Sequence, residues 1–165
     1  MKQVLFFVLI VFFSINLFAG QPIDREIESS VVKLFLHSDE REWDQLKRVF
    51  AGKVVLDYSS FTQQPAAELT PDQIVSAWSG FLPGFKSTHH QLGNFITEIS
   101  GNKAQVFCYG TATHFLPNES GRNVWTVVGT YDFKLIRTSG GWKVSSMTFN
   151  FKYQDGNTDL PTLIK

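Results

Sequence analysis

From His90 to Tyr153 the chain is a succession of extended runs with no helical stretch between them, and this limits the possible folds more than any other feature. His90 to Ile99, Ala104 to Phe115, Val124 to Arg137 and Trp142 to Tyr153 are rich in β-branched and aromatic residues. Gly101-Asn102, Pro117 to Gly121 and Ser139-Gly140-Gly141 separate them with the residue types that hairpin turns need. Connections this short join antiparallel neighbours. The second half of the chain therefore predicts a meandering sheet, one face of which has to be covered by the residues ahead of it.

Those residues read as helices. Ile23, Ile27, Val31, Leu34 and Phe35 recur at helical spacing, with Asp24, Arg25, Glu26, Glu28 and Lys33 on the other face. Ser38-Asp39 interrupts this stripe, and Trp43, Leu46, Val49 and Phe50 form a second one, with Gly52 expected as its C-terminal cap. Lys53 to Phe61 turns to strand-forming residues and Thr62 to Leu69 reads as loop. Thr70-Pro71-Asp72-Gln73 has the layout of a capping box with proline in the first turn. The helix it opens is expected to run to about Trp78, before Gly80, Pro83 and Gly84 leave Phe81 to Phe85 as loop. The result is an α+β plan: a curved, mostly antiparallel sheet covered by about three N-terminal helices, with room for a pocket between the layers.

The chain opens with Met1-Lys2-Gln3, runs through Val4 to Phe13 in apolar residues and reaches small residues at Ala19-Gly20. This is the layout of a signal peptide over residues 1–20, and it predicts an exported protein that meets a membrane only if the segment is retained. A single domain is expected over 21–153, followed by a polar, weakly structured tail over 154–165. Fifteen basic residues balance fifteen acidic ones with no basic stripe, which argues against nucleic acid and favours a neutral partner. Sixteen phenylalanines suit an apolar pocket for a small molecule. Cys108, the only cysteine, cannot form an internal disulfide and reads as a small hydrophobe in a strand.

Three strings, taken in order, carry a resemblance: His37-Ser38-Asp39-Glu40-Arg41-Glu42-Trp43-Asp44-Gln45-Leu46, then Thr88-His89-His90-Gln91-Leu92-Gly93-Asn94, then Gly129-Thr130-Tyr131-Asp132 with Arg137 and Gly141-Trp142-Lys143. Together they resemble the SnoaL-like pattern of the nuclear transport factor 2-like superfamily from about Ile23 to Tyr153. Within that superfamily the pattern is most similar to the scytalone dehydratases, notably at Leu56-Asp57-Tyr58-Ser59-Ser60-Phe61. The resemblance implies a cone-shaped half-barrel, homo-oligomers, no required cofactor and a buried pocket for a small, largely apolar molecule. Members include dehydratases, cyclases and isomerases, so fold alone does not fix the reaction.

The resemblance places Asp39 and His90 as a pair in the pocket, with His114 as a second acid or base. It also turns Tyr58 and Asp132 toward the pocket, and these two, with Phe85 and Trp78 among the large apolar residues, are the expected substrate contacts. A carboxylate on one imidazole nitrogen fixes the tautomer and raises the basicity of the other nitrogen, which is what a general base near neutral pH needs. Strand parity supports a pocket independently. Ala104, Val106, Cys108, Gly110, Ala112 and His114 share one face, made of small residues and ending in a histidine.

Each residue also has a plainer reading. Asp39 could serve as a helix N-cap, with Glu42 three residues on; His90 and His114 could be exposed, and Tyr58 and Trp125 could simply pack. His37, His89, His90 and His114 show no metal-ligand spacing, so no metal is expected. Two departures from the dehydratase pattern, Ser38 in place of a tyrosine and Asp132 in place of an asparagine, weigh against that specific dehydration. Asn118-Glu119-Ser120 matches a glycosylation acceptor. The expected function is a cofactor-free lyase or isomerase. The alternatives are an exported binding protein that relies on Phe81, Leu82, Phe85 and Phe95, or an assembly module that dimerises through the outer sheet face.

Overall fold

The computed structural model describes residues 22–164; the expected signal segment lies outside them, as does Lys165. Helix α1 spans Pro22–Asp39 and buries Ile27, Val31, Leu34 and Phe35 along the stripe expected from the sequence. Helix α2, Trp43–Val49, buries Leu46 and Val49. It stops one residue earlier than its apolar stripe suggests, because Phe50 already has extended backbone and opens strand β1, Phe50–Asp57. Gly52 is therefore inside a strand and caps nothing. A single helical turn, α3, follows at Ser59–Thr62 and leads to a short strand β2, Ala67–Leu69, in the stretch expected to be loop. Helix α4, Pro71–Phe81, starts with the full reciprocal capping box between Thr70 and Gln73 and continues through Gly80. Leu82–Gly84 then form one turn of 3-10 helix.

Four long strands complete the fold: β3 Ser87–Ser100, β4 Lys103–Phe115, β5 Val124–Thr138 and β6 Gly141–Gly156. The sheet order is β2-β1-β6-β5-β4-β3. All pairings are antiparallel except β1 with β6, which is parallel because the helical segments carry the chain back across the sheet. The register shifts at Gly93/Ile96 in β3, where Asn94 takes a left-handed φ of 56°, and in the β5–β6 pairing opposite Val128/Gly129 and Lys134/Leu135, where Lys152 and Ser145 of β6 are the extra residues. Such irregularities increase local twist, so the sheet curves without closing and α1 packs on β3 and β6.

The C-terminal residues correct the expected tail. Strand β6 runs on to Gly156, where φ is 83° and an added Cβ would meet the Val124 carbonyl. Asn157 is buried and donates to the Arg122 carbonyl, and Leu160 is wholly buried in the core. Asn118 also has a structural use: its amide donates to the carbonyls of Leu116 and Arg122, which shapes the β4–β5 connection.

Candidate active site

Between α1, α3, α4 and the inner sheet face lies a cavity of about 190 Å³. A cavity of about 150 Å³ lined by aliphatic and aromatic side chains is enough to admit benzene, so this one has room for a substituted ring. Its walls are Phe35, Phe61, Trp78, Phe81, Leu82, Trp125, Val127 and Phe149, with Ser38, Tyr58, His90, His114 and Tyr131 as the polar groups. Among the described residues no Lys, Arg, Asp or Glu lines it. The site therefore suits an uncharged molecule, because a charged ligand would lose its water without gaining an ionic partner.

Asp39 reaches this site from the end of α1. Burial of Phe35 and Ser38 fixes the last turn, and Ser38 Oγ donates back to the Leu34 carbonyl at 2.7 Å. Arg41 then takes a left-handed φ of 58°, with Glu42 N–H bonding to the His37 carbonyl and Arg41 N–H to that of Ser38. This is a Schellman-type helix end, usually made by glycine. The Arg41 guanidinium also donates to the carbonyls of Asp39, Leu82 and Phe85 at 3.1, 3.4 and 2.9 Å, tying the helix end to the loop beside the pocket. Asp39 does not cap α2, whose N-cap residue is Glu42 and makes no side-chain capping bond.

The Asp39 carboxylate accepts three hydrogen bonds from the start of β3. Thr88 Oγ1 and the His90 ring Nδ1 meet Oδ1, each at 2.8 Å, and the His90 backbone N–H meets Oδ2 at 2.7 Å. A carboxylate in the last turn of a helix is opposed by the helix dipole, and these three donors offset that. Burial pushes the Asp39 carboxyl up, yet the bonds and charge of His90, with the Thr88 hydroxyl, outweigh it and hold the group below its ordinary value. Both side chains are nearly enclosed, His90 at 11 % and Asp39 at 10 % exposure. The His90 ring stacks on Phe35 at 4.7 Å between centroids, which leaves Nε2 as the nitrogen free to act in the pocket.

His114 faces His90 edge-on with centroids 6.2 Å apart, and it lies between Trp125 at 4.5 Å and Phe85 at 4.7 Å. Its Nδ1 is sealed from solvent with no partner. Burial and the neighbouring His90 charge lower its pKa to about 4, partly opposed by the Trp125 backbone and Asp39. His114 is thus a neutral imidazole at pH 7 and offers hydrogen bonds without charge. Burial likewise raises the Tyr58 phenol, so it stays protonated and can donate. Cys108 is wholly buried and its thiol is pushed up to about 12 by burial and Asp132, which makes it a packing group.

The structure brings Asp39, His90, His114, Tyr58 and Trp78 to this one site, with Asp39 just behind the wall. Two expected contacts are corrected. Phe85 is buried behind His114 and supports its ring without lining the pocket. Asp132 is exposed on the outer sheet face, where its carboxylate accepts from the Asn150 amide at 2.6 Å. The pleat explains this: Tyr131 and Phe133 point into the core, so the residue between them points out. Tyr131, quoted in the motif but given no role, reaches the pocket from β5 beside Trp125 and Val127. Among the apolar candidates Phe81 and Leu82 line the site, while Phe95 packs elsewhere in the core. Among the described residues no group of three or more His, Cys, Asp or Glu is placed to hold a metal ion, and no helix is long and apolar enough to cross a membrane.

The model of the SnoaL-like domain matches residues 23–148. No protein of curated function matches the sequence. Among solved structures, the Kfla4162 protein from Kribbella flavida is 27% identical with a TM-score of 0.80, over 84% of this chain and 96% of that one. A candidate scytalone dehydratase from Novosphingobium aromaticivorans DSM 12444 is 20% identical with a TM-score of 0.70, over 80% of this chain and 85% of that one. The hexachlorocyclohexane dehydrochlorinase LinA-type3 from Novosphingobium barchaimii LL02 is 14% identical with a TM-score of 0.68, over 82% of this chain and 90% of that one. At these identities the last two establish a shared fold.

Proposed function

This chain belongs to the SnoaL-like family of the nuclear transport factor 2-like superfamily, and from that premise we propose a cofactor-independent lyase or isomerase acting on a small, uncharged carbonyl compound. The observation that carries the proposal is the 2.8 Å contact of Asp39 Oδ1 with His90 Nδ1 beside an apolar cavity. Held this way, His90 carries its proton on Nδ1 and presents the Nε2 lone pair to the pocket. Nε2 would take a proton from the carbon next to the carbonyl, and the electron pair would move onto the carbonyl oxygen. Asp39 stabilises the imidazolium formed. Tyr58 donates to the oxygen as it gains charge, where a neutral buried donor is most effective. Return of the proton to a second carbon would shift the double bond; its delivery to a departing hydroxyl would release water. His114, uncharged, suits holding that hydroxyl. The names of the dehydratase and dehydrochlorinase neighbours fit eliminations of this kind.

The test is hydrogen–deuterium exchange at carbon. A panel of small cyclic and aryl ketones in deuterated buffer is expected to include one whose exchange the protein accelerates. His90→Ala should slow that exchange by about 10²- to 10⁴-fold, the usual worth of a positioned base. Trp78 and Trp125 line the cavity, so quenching of their fluorescence reports binding separately. Ketones that bind but exchange no faster than in buffer would make this chain a non-catalytic binding protein.

A further inference from the structure

The outer surface, the sealed Trp142 indole and the neutral Cys108 offer nothing that points to a ligand, whereas one pocket residue has chemistry still unused. Tyr131 is 4 % exposed and lines the cavity. Its hydroxyl makes no hydrogen bond to a described protein group. It is not sealed off as His114 Nδ1 and Trp142 Nε1 are, so it opens onto the cavity. An aromatic hydroxyl so deeply placed normally finds a partner. Here no described protein group supplies one.

The surroundings hold this ring in place. It packs against Phe35 with centroids at 5.0 Å and against Phe149 at 4.9 Å. Across the sheet, a Cβ added at Gly110 would lie only 2.3 Å from Tyr131 Cε2. Gly110 has no left-handed φ to require glycine, so the missing side chain is what admits the ring. Burial, with smaller contributions from Tyr58, Cys108 and Asp39, keeps the phenol protonated and able to donate. Phe35 touches both Tyr131 and the His90 ring, which sets the donor and the base on the two sides of one aromatic wall.

We propose that Tyr131 is a second oxygen-binding donor of this site, acting with Tyr58 on the carbonyl or hydroxyl oxygen of the ligand, in the place that sequence similarity gives to Asp132. The inference rests on the reading of the pocket as a site for small carbonyl or hydroxy compounds.

The experiment uses two probes of matched shape, acetophenone and α-methylstyrene, which differ in a C=O against a C=CH₂. Affinities are read by tryptophan quenching on the wild type, Tyr131→Phe, Tyr58→Phe and Asp132→Asn. Loss of one neutral hydrogen bond is expected to weaken acetophenone by about three- to tenfold in Tyr131→Phe, with a smaller effect on α-methylstyrene. Asp132→Asn is expected to change neither. If Tyr131→Phe weakens both probes equally or neither, and only Tyr58→Phe discriminates between them, Tyr131 has no such role and the function proposed above survives. If neither probe binds the wild type, that function falls as well.

Discussion

Asp39 holds His90 at two points, accepting from its ring through Oδ1 and from its backbone amide through Oδ2, at 2.8 and 2.7 Å. The end of α1 and the edge strand β3 are thereby joined through the group proposed to direct catalysis. Asp39→Asn keeps an acceptor but turns one side of the group into a donor facing donors. It is expected to destabilise the fold by about 1–3 kcal/mol at pH 7, the cost of leaving a buried charge-assisted set unmet. Because the carboxyl is held below its ordinary 3.8, its contribution is complete above that pH and disappears as pH falls through the lower folded value. Urea unfolding of both proteins should therefore show the difference narrowing toward pH 3. A penalty independent of pH would mean that charge is not its source.

Much of this site was legible in the sequence, for local reasons. Period-two alternation from Ala104 to His114 predicted a small-residue inner face, and those six residues are all buried. The Thr70 and Gln73 pair predicted its own capping box. Trp125, Val127, Tyr131, Phe133 and Leu135 are buried at alternate positions of β5, so the local pattern already turns Tyr131 inward and Asp132 outward, and it was the resemblance that put Asp132 in the pocket. Other features depend on contacts that no local pattern encodes. Arg41 in a left-handed helix end looks like any surface arginine until the carbonyls it meets, some forty residues away, are folded beside it. Leu160 gives no periodic signal, and only tertiary packing buries it.

His114 makes stability depend on pH in a second window. In the fold its pKa is lowered from 6.5 to about 4, so between those values the unfolded chain binds a proton that the folded chain does not. Stability falls as pH drops through that range and this contribution levels off below about 4. The difference corresponds to about 3 kcal/mol. His114→Phe keeps an aromatic ring between Phe85 and Trp125 and removes both the titration and the unpartnered Nδ1. Chemical denaturation at pH 7 and pH 4.5 should show the wild type losing about 2–3 kcal/mol more than the variant. Parallel losses in the two proteins would refute a buried neutral imidazole.

Arg41 separates two effects that usually coincide. Its left-handed φ of 58° disfavours any residue with a Cβ, so Arg41→Gly should relieve about 1 kcal/mol of backbone cost. Its guanidinium meanwhile satisfies the carbonyls of Asp39, Leu82 and Phe85, which no other side chain reaches among the described residues. Removing it takes this donor from the Asp39 and Phe85 carbonyls, while the Leu82 carbonyl keeps the Phe85 N–H, at a cost of about 1–3 kcal/mol. Arg41→Ala incurs that loss and keeps the strain, so it should be the less stable of the two variants by about 1 kcal/mol. Arg41→Lys should fall near Arg41→Ala, since one ammonium cannot span the acceptors that a planar fork spans. Thermal unfolding of the three proteins orders them directly. Both Arg41→Gly and Arg41→Ala should also weaken apolar probes, because Leu82 lines the cavity and its loop is anchored through this arginine. Full stability in Arg41→Lys would show that position 41 needs only a positive charge and not the fork.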